Sequence, residues 1–106
     1  MSFILVYTTH ANEESAMKLS NFMVEKKYAA CANIFPIKSA YWWKGNMESE
    51  DEYVSILKTI PENWELLKTK IEELHPYDLP CIIKINVAAN AKYEAWIRSE
   101  VRQDLK

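Results

Sequence analysis

The chain has 106 residues and a formal net charge of −2, with 49% hydrophobic and 26% charged residues. This length suits one core, so we expect residues 1–106 to form a single domain. The weak negative charge argues against a nucleic-acid partner. The sequence has no apolar run long enough to cross a membrane, no basic N-terminal segment and no small-residue cleavage site. We therefore expect a cytoplasmic protein without a membrane partner.

The composition also argues against an enzyme. The only glycine is Gly45, whereas phosphate loops and dinucleotide-binding motifs need several glycines for close approach of the backbone to phosphate. No serine or cysteine lies in a recognisable catalytic-triad context, and only two histidines, His10 and His75, are available. The sequence therefore predicts a protein that is not an enzyme and that carries no organic cofactor.

The first half of the chain predicts a strand, a helix and a long second strand. Residues 3–9 are β-branched and aromatic, which is typical of a strand. Asn12 is a natural N-cap for a helix whose apolar face is formed by Ala16, Leu19 and Met23. Residues 28–43 then predict a strand, and Pro36 within it favours an edge position or a bulge.

The second half predicts a return strand, a helix, a strand and a last helix. Gly45 and Asn46 indicate a turn, and residues 52–59 alternate as a strand does. Pro61 suits the start of a helix whose apolar stripe is formed by Trp64, Leu67, Ile71 and Leu74. Residues 81–87 predict a buried strand, and residues 93–101 predict a short helix.

This order, β-α-β-β-α-β with one extra helix, predicts an α+β fold of the ferredoxin-like, split βαβ type. Right-handed crossovers place the first strand between the third and the fourth, antiparallel to the fourth. His10, His75 and Cys81 then meet at one edge of the sheet. Imidazole and thiolate suit copper and zinc, so these three residues are candidate metal ligands.

His75 opens a short segment, residues 75–80, in which Pro76 and Pro80 restrict the backbone. A metal-binding group on a stiff loop is a functional candidate. A connector that only needs stiffness is the alternative for His75, and a structural or solvated role is the alternative for His10.

Three further predictions concern two tryptophans, two cysteines and an acidic run. Trp42 and Trp43 are adjacent, so on a strand they point to opposite faces, and one of them is expected at an interface rather than in the core. Cys31 and Cys81 lie in apolar segments predicted to be buried, at opposite ends of the sheet, so we expect free thiols. The acidic run at residues 48–52 fits no calcium loop and predicts a solvated hairpin tip or an intersubunit ion pair.

Several segments together resemble the CutA divalent-cation-tolerance family. They occur in order at family spacing: residues 6–9, 29–34, 39–45, 56–59 and 75–80, with Tyr93 and Trp96. The resemblance implies a ferredoxin-like subunit in a compact homotrimer, similar in architecture to PII signalling proteins, and a link to copper and other divalent metals. It also implies that His75 is a copper ligand. The cysteine and the further histidine of the family's proposed site are replaced by Thr8 and Leu74, so weak binding is expected.

The sequence thus predicts a non-enzymatic, trimeric, cytoplasmic protein associated with divalent-metal tolerance, with copper the expected ion. The alternative is a PII-like sensor that binds a small ligand in the clefts between subunits.

Overall fold

The computed structural model describes residues 3–103, and its elements follow the predicted order. A 3-10 turn, Pro61–Asn63, leads into the second helix. The elements are β1 (Phe3–His10), α1 (Glu13–Glu25), β2 (Cys31–Trp43), β3 (Asn46–Thr59), α2 (Trp64–Leu74), β4 (Ile82–Val87) and α3 (Ala91–Glu100). The predicted ferredoxin-like α+β fold is confirmed.

The four strands form one antiparallel sheet in the order β2-β3-β1-β4. Strand β1 is central, as predicted, and Ile4 pairs with Thr59 on one side and Asn86 on the other. The edge position predicted from Pro36 is also confirmed. The register of β2 against β3 runs through this proline without a bulge.

The main core lies between one face of the sheet and helices α1 and α2. The Asn12 side chain accepts a hydrogen bond of 2.8 Å from the Ser15 N–H, which fixes the start of α1. The helices and strands then bury aliphatic side chains, each of which stabilises the fold by about 1.5–3 kcal/mol. The buried members of this cluster are Ile4, Val6, Leu19, Met23, Ala29, Leu57, Leu67 and Ile71.

Among residues 3–103, the opposite face, called here the open face, is covered only at one end, by α3. There Phe3, Ile60, Ile97 and Val101 form a second, smaller cluster. The prediction that residues 81–87 form a buried strand was wrong, because Ile83 and Ile85 are 48% and 39% exposed. Strand β4 is an edge strand, and of its open-face side chains only Val87 packs against the second cluster.

The predicted burial of the two cysteines was also wrong. Cys31 and Cys81 are both free thiols, and each is half-buried rather than fully buried. Cys31 pairs with Lys58 and so lies on the open face, while Cys81 directly precedes β4. Neither position is covered by α1 or α2, which pack on the other face.

Strands β2 and β3 extend beyond the rest of the sheet as a hairpin. Their pairing continues to Trp43 opposite Asn46, whereas β1 ends at His10 opposite Tyr53. Strand β3 therefore begins six residues earlier than predicted. Trp42 and Trp43 are 73% and 37% exposed, and neither reaches the core, because this hairpin has no second layer to pack against. Lys44 and Gly45, both at positive φ, form its tight turn.

Candidate functional site at the sheet edge

The predicted edge site forms where β1 ends against the loop between α2 and β4. His10 is the last residue of β1 and is buried, and His75 follows directly after α2 and is also buried. Their rings stack with centroids 4.8 Å apart and an angle of 26° between the planes. The topology had placed these two histidines together, and the structure confirms that contact. The solvated role considered for His10 was wrong, because His10 lies on the face of the sheet that helices α1 and α2 cover and is buried there.

Both ring nitrogens of His75 are used in hydrogen bonds. Its Nε2 donates to the Thr9 carbonyl at 2.7 Å, and its Nδ1 accepts from the Tyr77 N–H at 3.2 Å. A carbonyl only accepts and an amide N–H only donates, so this pattern requires the neutral ring with its proton on Nε2. His75 therefore fastens the loop to the end of β1.

His10 is held by the neighbouring Thr8. The Thr8 hydroxyl is hydrogen-bonded to Nε2 of His10 at 2.7 Å and lies 3.4 Å from the Ser55 carbonyl. Burial, reinforced by the nearby His75, lowers the pKa of His10 from 6.5 to about 4, although Glu52 opposes the shift. At neutral pH His10 is thus uncharged.

Tyr77 ties the same loop to β3. Its hydroxyl donates to Oε2 of the buried Glu52 at 2.8 Å, and its ring meets the His75 ring edge-on at 4.6 Å between centroids. Burial and the Glu52 carboxylate both raise the pKa of Tyr77, so the phenol stays protonated. Sequence analysis missed the Glu52–Tyr77 bond. The signal available was that Glu48, Glu50 and Glu52 are alternate residues of one strand, so all three carboxylates lie on the same face of β3.

Cys81 lies next to Thr9 at the same edge, because the following residue, Ile82, pairs with Thr8. Burial raises the pKa of the Cys81 thiol and Glu52 raises it further, while a hydrogen bond with Thr9 lowers it. The net direction is upward, so at neutral pH the thiol is protonated rather than a ready soft donor.

These residues do not fit a resident metal centre within one chain. Among residues 3–103, no group of three or more His, Cys, Asp or Glu side chains is arranged to hold a metal ion. His75 uses both nitrogens in hydrogen bonds, and Thr8 supplies a neutral hydroxyl that is already bonded. The ligand roles of His75, His10 and Cys81 stay predictions.

A cleft of about 950 Å³ lies beside this edge, between the loop and the β2–β3 hairpin. Aromatic and acidic side chains line it, including Tyr7, Tyr41, Trp43, Glu48, Glu50 and Tyr77. The carboxylates give it a negative potential. Burial raises the pKa of Tyr41, and the carboxylates raise it further. Such a cleft attracts cations and repels anions.

The fold and the edge site define a class: small ferredoxin-like proteins with an overhanging hairpin and a His-Pro-Tyr loop closing the sheet edge. The sequence pattern of the CutA1 divalent ion tolerance proteins matches residues 4–100. The chain belongs to that family.

Relatives and solved structures support this assignment. The chain is 43% identical to the divalent-cation tolerance protein CutA of Pyrococcus horikoshii, over 94% of this chain and 99% of the relative. It is 39% identical to that of Thermotoga maritima, over 92% and 98%. The crystal structure of CutA1 from Pyrococcus horikoshii superposes with a TM-score of 0.90 at 42% identity, covering 94% of this chain and 99% of that one. That of CutA1 from Oryza sativa gives 0.93 at 33% identity, covering 98% and 97%.

Proposed function

We propose that the protein is a non-enzymatic, cytoplasmic homotrimer that contributes to divalent-cation tolerance by binding the ion, copper foremost, weakly at the edge of the sheet. The observation that carries this proposal is the stacked pair of His10 and His75 beside Cys81 and an acidic cleft. Imidazole and sulfur donors suit copper, and the cleft's charge favours the approach of a cation. The family's name for its relatives, divalent-cation tolerance protein, agrees with this role.

Weak rather than tight binding follows from the bonds that these donors already make. His75 can offer Nδ1 only by giving up the Tyr77 N–H, and Cys81 can offer a thiolate only by losing its proton against a raised pKa. Each requirement subtracts from the binding free energy. The ion is thus a transient cargo and not part of the folded structure.

The uncovered open face supports assembly. Phe35, Ile83 and Ile85 are exposed there, and the edge strands β2 and β4 present unpaired backbone groups. Exposed apolar edges promote uncontrolled association unless a closed assembly covers them. A trimer of cyclic symmetry closes such contacts.

Calorimetric titration with copper at pH 7.5 tests the metal site. We expect His75→Ala and His10→Ala to weaken binding by about tenfold or more, because each removes one imidazole donor. Cys81→Ala should weaken it as well, whereas Cys31→Ala, the matched control at the other end of the sheet, should leave it unchanged. Wild-type affinity in His75→Ala would show that the site lies elsewhere.

The volume and aromatic lining of the cleft favour a second candidate function, a PII-like sensor of a small ligand. In the proposed trimer, we expect this cleft to lie where copies meet. Titration with a panel of small ligands, cationic ones as well as nucleotides, separates the two candidates, because the carboxylates of the cleft disfavour anions. Only the sensor would bind one of these ligands, and copper binding to the sensor would be unchanged by His75→Ala.

A further inference from the structure

The acidic cleft beside the sheet edge carries a row of carboxylates. Glu48, Glu50 and Glu52 are alternate residues of β3, and all three line the cleft. None of the ion pairs within residues 3–103 involves them. Among the described residues that line the cleft, the basic one is Lys38, which is already paired with Asp51 at 2.9 Å. The row therefore keeps its negative charge within one copy of the chain.

Glu52 shows that part of this charge is both buried and directed to the cleft. The residue is 6% exposed, and its Oε2 accepts the hydrogen bond from the Tyr77 hydroxyl. Its other oxygen, Oε1, has no hydrogen-bond partner within residues 3–103. No fully buried side-chain oxygen in this part of the chain lacks a partner, so Oε1 is open to the cleft that Glu52 lines. A phenol compensates a buried carboxylate less than a cation would.

Aromatic side chains stand beside this row. Tyr41 and Trp43 are alternate residues of β2 and lie on the same face of the hairpin as the carboxylates. The Tyr41 hydroxyl is hydrogen-bonded to Glu50, which brings the phenol ring next to the row. Tyr7 and Tyr77 line the cleft from β1 and from the loop. Such rings attract alkylammonium groups and pack against methylene chains.

The spacing of the carboxylates favours an extended cation over a single metal ion in the cleft. Alternate residues of a strand are about 6–7 Å apart, at about 3.3 Å per residue. The oxygens that ligate one Ca²⁺ or Mg²⁺ lie within about 2.6 Å of the ion. The side chains of residues 3–103 form no metal-holding group of three or more carboxylates, imidazoles or thiols. Two ammonium groups joined by three or four methylenes lie at a separation comparable to that between neighbouring carboxylates of the row.

We propose that the cleft binds a linear polyamine. Its ammonium groups pair with Glu50 and Glu52, where one of them donates to the open Oε1 of Glu52, and its methylene chain packs against Tyr41 and Trp43. The volume of about 950 Å³ accommodates such a chain. The inference rests on the second candidate function, the small-ligand sensor, and names the chemical class of its ligand.

Calorimetric titration with spermidine at pH 7.5, without copper, tests the proposal. Wild type should bind spermidine several-fold more tightly than hexaamminecobalt(III), a compact ion of the same charge, because only the chain spaces its charges along the row and offers methylenes to the aromatic rings. Butylamine has one ammonium group and should bind more weakly than spermidine.

Three carboxylate variants locate the site. Glu52→Gln should weaken spermidine binding by about tenfold or more, because it removes the buried charge while it can still accept from the Tyr77 hydroxyl. Glu50→Gln should also weaken binding, and because Glu50 is exposed, this variant keeps the test decisive even where Glu52→Gln fails to fold. Asp51→Asn is the matched control on the other face of the same hairpin and should bind as the wild type does.

Equal binding of spermidine and hexaamminecobalt(III), or wild-type affinity in both Glu52→Gln and Glu50→Gln, would overturn the polyamine site. If another small ligand binds in the cleft and spermidine does not, the polyamine class is wrong and the sensor candidate stands. If no ligand of the panel binds, the sensor candidate is overturned together with the polyamine site.

Discussion

At the scale of single residues, His75 shows how hydrogen-bond chemistry sets the character of the site. One nitrogen holds the Thr9 carbonyl and the other holds the Tyr77 amide, so the ring joins the end of β1 to the loop. Tyr77 adds a third tie through the Glu52 carboxylate. The residue that the family resemblance marks as a ligand is therefore also a structural link, and the proposed metal binding would compete with that role.

The buried His10 predicts a stability that depends on pH. Its pKa is lowered from 6.5 to about 4 in the folded state, so the folded protein resists protonation that the unfolded chain accepts. The free energy of unfolding should fall as the pH drops from about 6.5 towards 4, and it should be insensitive to this group above that range.

Urea unfolding at fixed protein concentration and several pH values measures this effect. The slope between pH 6.5 and 5 should shrink in His10→Asn, which has no group that titrates there. Equal slopes in the two proteins would contradict the assignment of the pH dependence to His10.

At the scale of elements, helix α2 shows that apolar residues at helical spacing in the sequence predict more burial than the structure has. Trp64, Leu67, Ile71 and Leu74 have helical spacing, yet only Leu67 and Ile71 are fully buried, and Leu74 is 51% exposed. Leu74 is the last residue of α2, where the chain leaves the sheet to form the His75 loop. This spacing correctly predicts the helix and the side of it that packs against the sheet. It does not predict where along the helix that contact ends.

This difference gives a stability prediction with an internal control. Ile71→Ala should lower the free energy of unfolding by about 2–5 kcal/mol, because it leaves a cavity among the buried residues of the main core. Leu74→Ala should change it by no more than about 0.5 kcal/mol, since most of that side chain is already in water. Denaturant unfolding of both variants measures the pair, and similar losses would mean that α2 packs differently along its last turn.

At the scale of the whole molecule, the two faces of the sheet have different roles. Helices α1 and α2 cover one face completely enough to make the main core, while α3 covers only one end of the other. The remaining open face, the overhanging hairpin and the two edge strands are the parts available for assembly. None of the helices within residues 3–103 is long and apolar enough to span a membrane.

The same architecture predicts two free thiols per chain. Cys31 is level with Leu5 of β1 and Cys81 with Thr9, so they are offset by about 13 Å along the strands, far beyond the reach of a disulfide. Two further strands separate them across the sheet. Thiol titration of freshly prepared, denatured and non-reduced protein should give two groups per chain, and zero would contradict the strand order.

Local patterns were enough to predict the element order, the N-cap at Asn12, the edge position of β2 and a turn at Gly45. That turn lies one residue earlier than predicted, at Lys44 and Gly45. Each depends on residues close in sequence, through side-chain periodicity, capping and turn chemistry. Strand order followed from the handedness of the connections, and with it the contact of His10 with His75. The edge site was predictable to that extent.

Only the tertiary structure decided how deeply each element is buried and which bonds the site residues make. Strand β4 has the apolar sequence of a central strand but lies at an edge, because burial depends on what packs against it. Both ring nitrogens of His75 are hydrogen-bonded because the loop runs next to Thr9 at the end of β1, and no local pattern in the sequence encodes that path. The sequence by itself determined the family and the residues that meet at the sheet edge, whereas three-dimensional packing determined how far those residues are free to bind a metal ion.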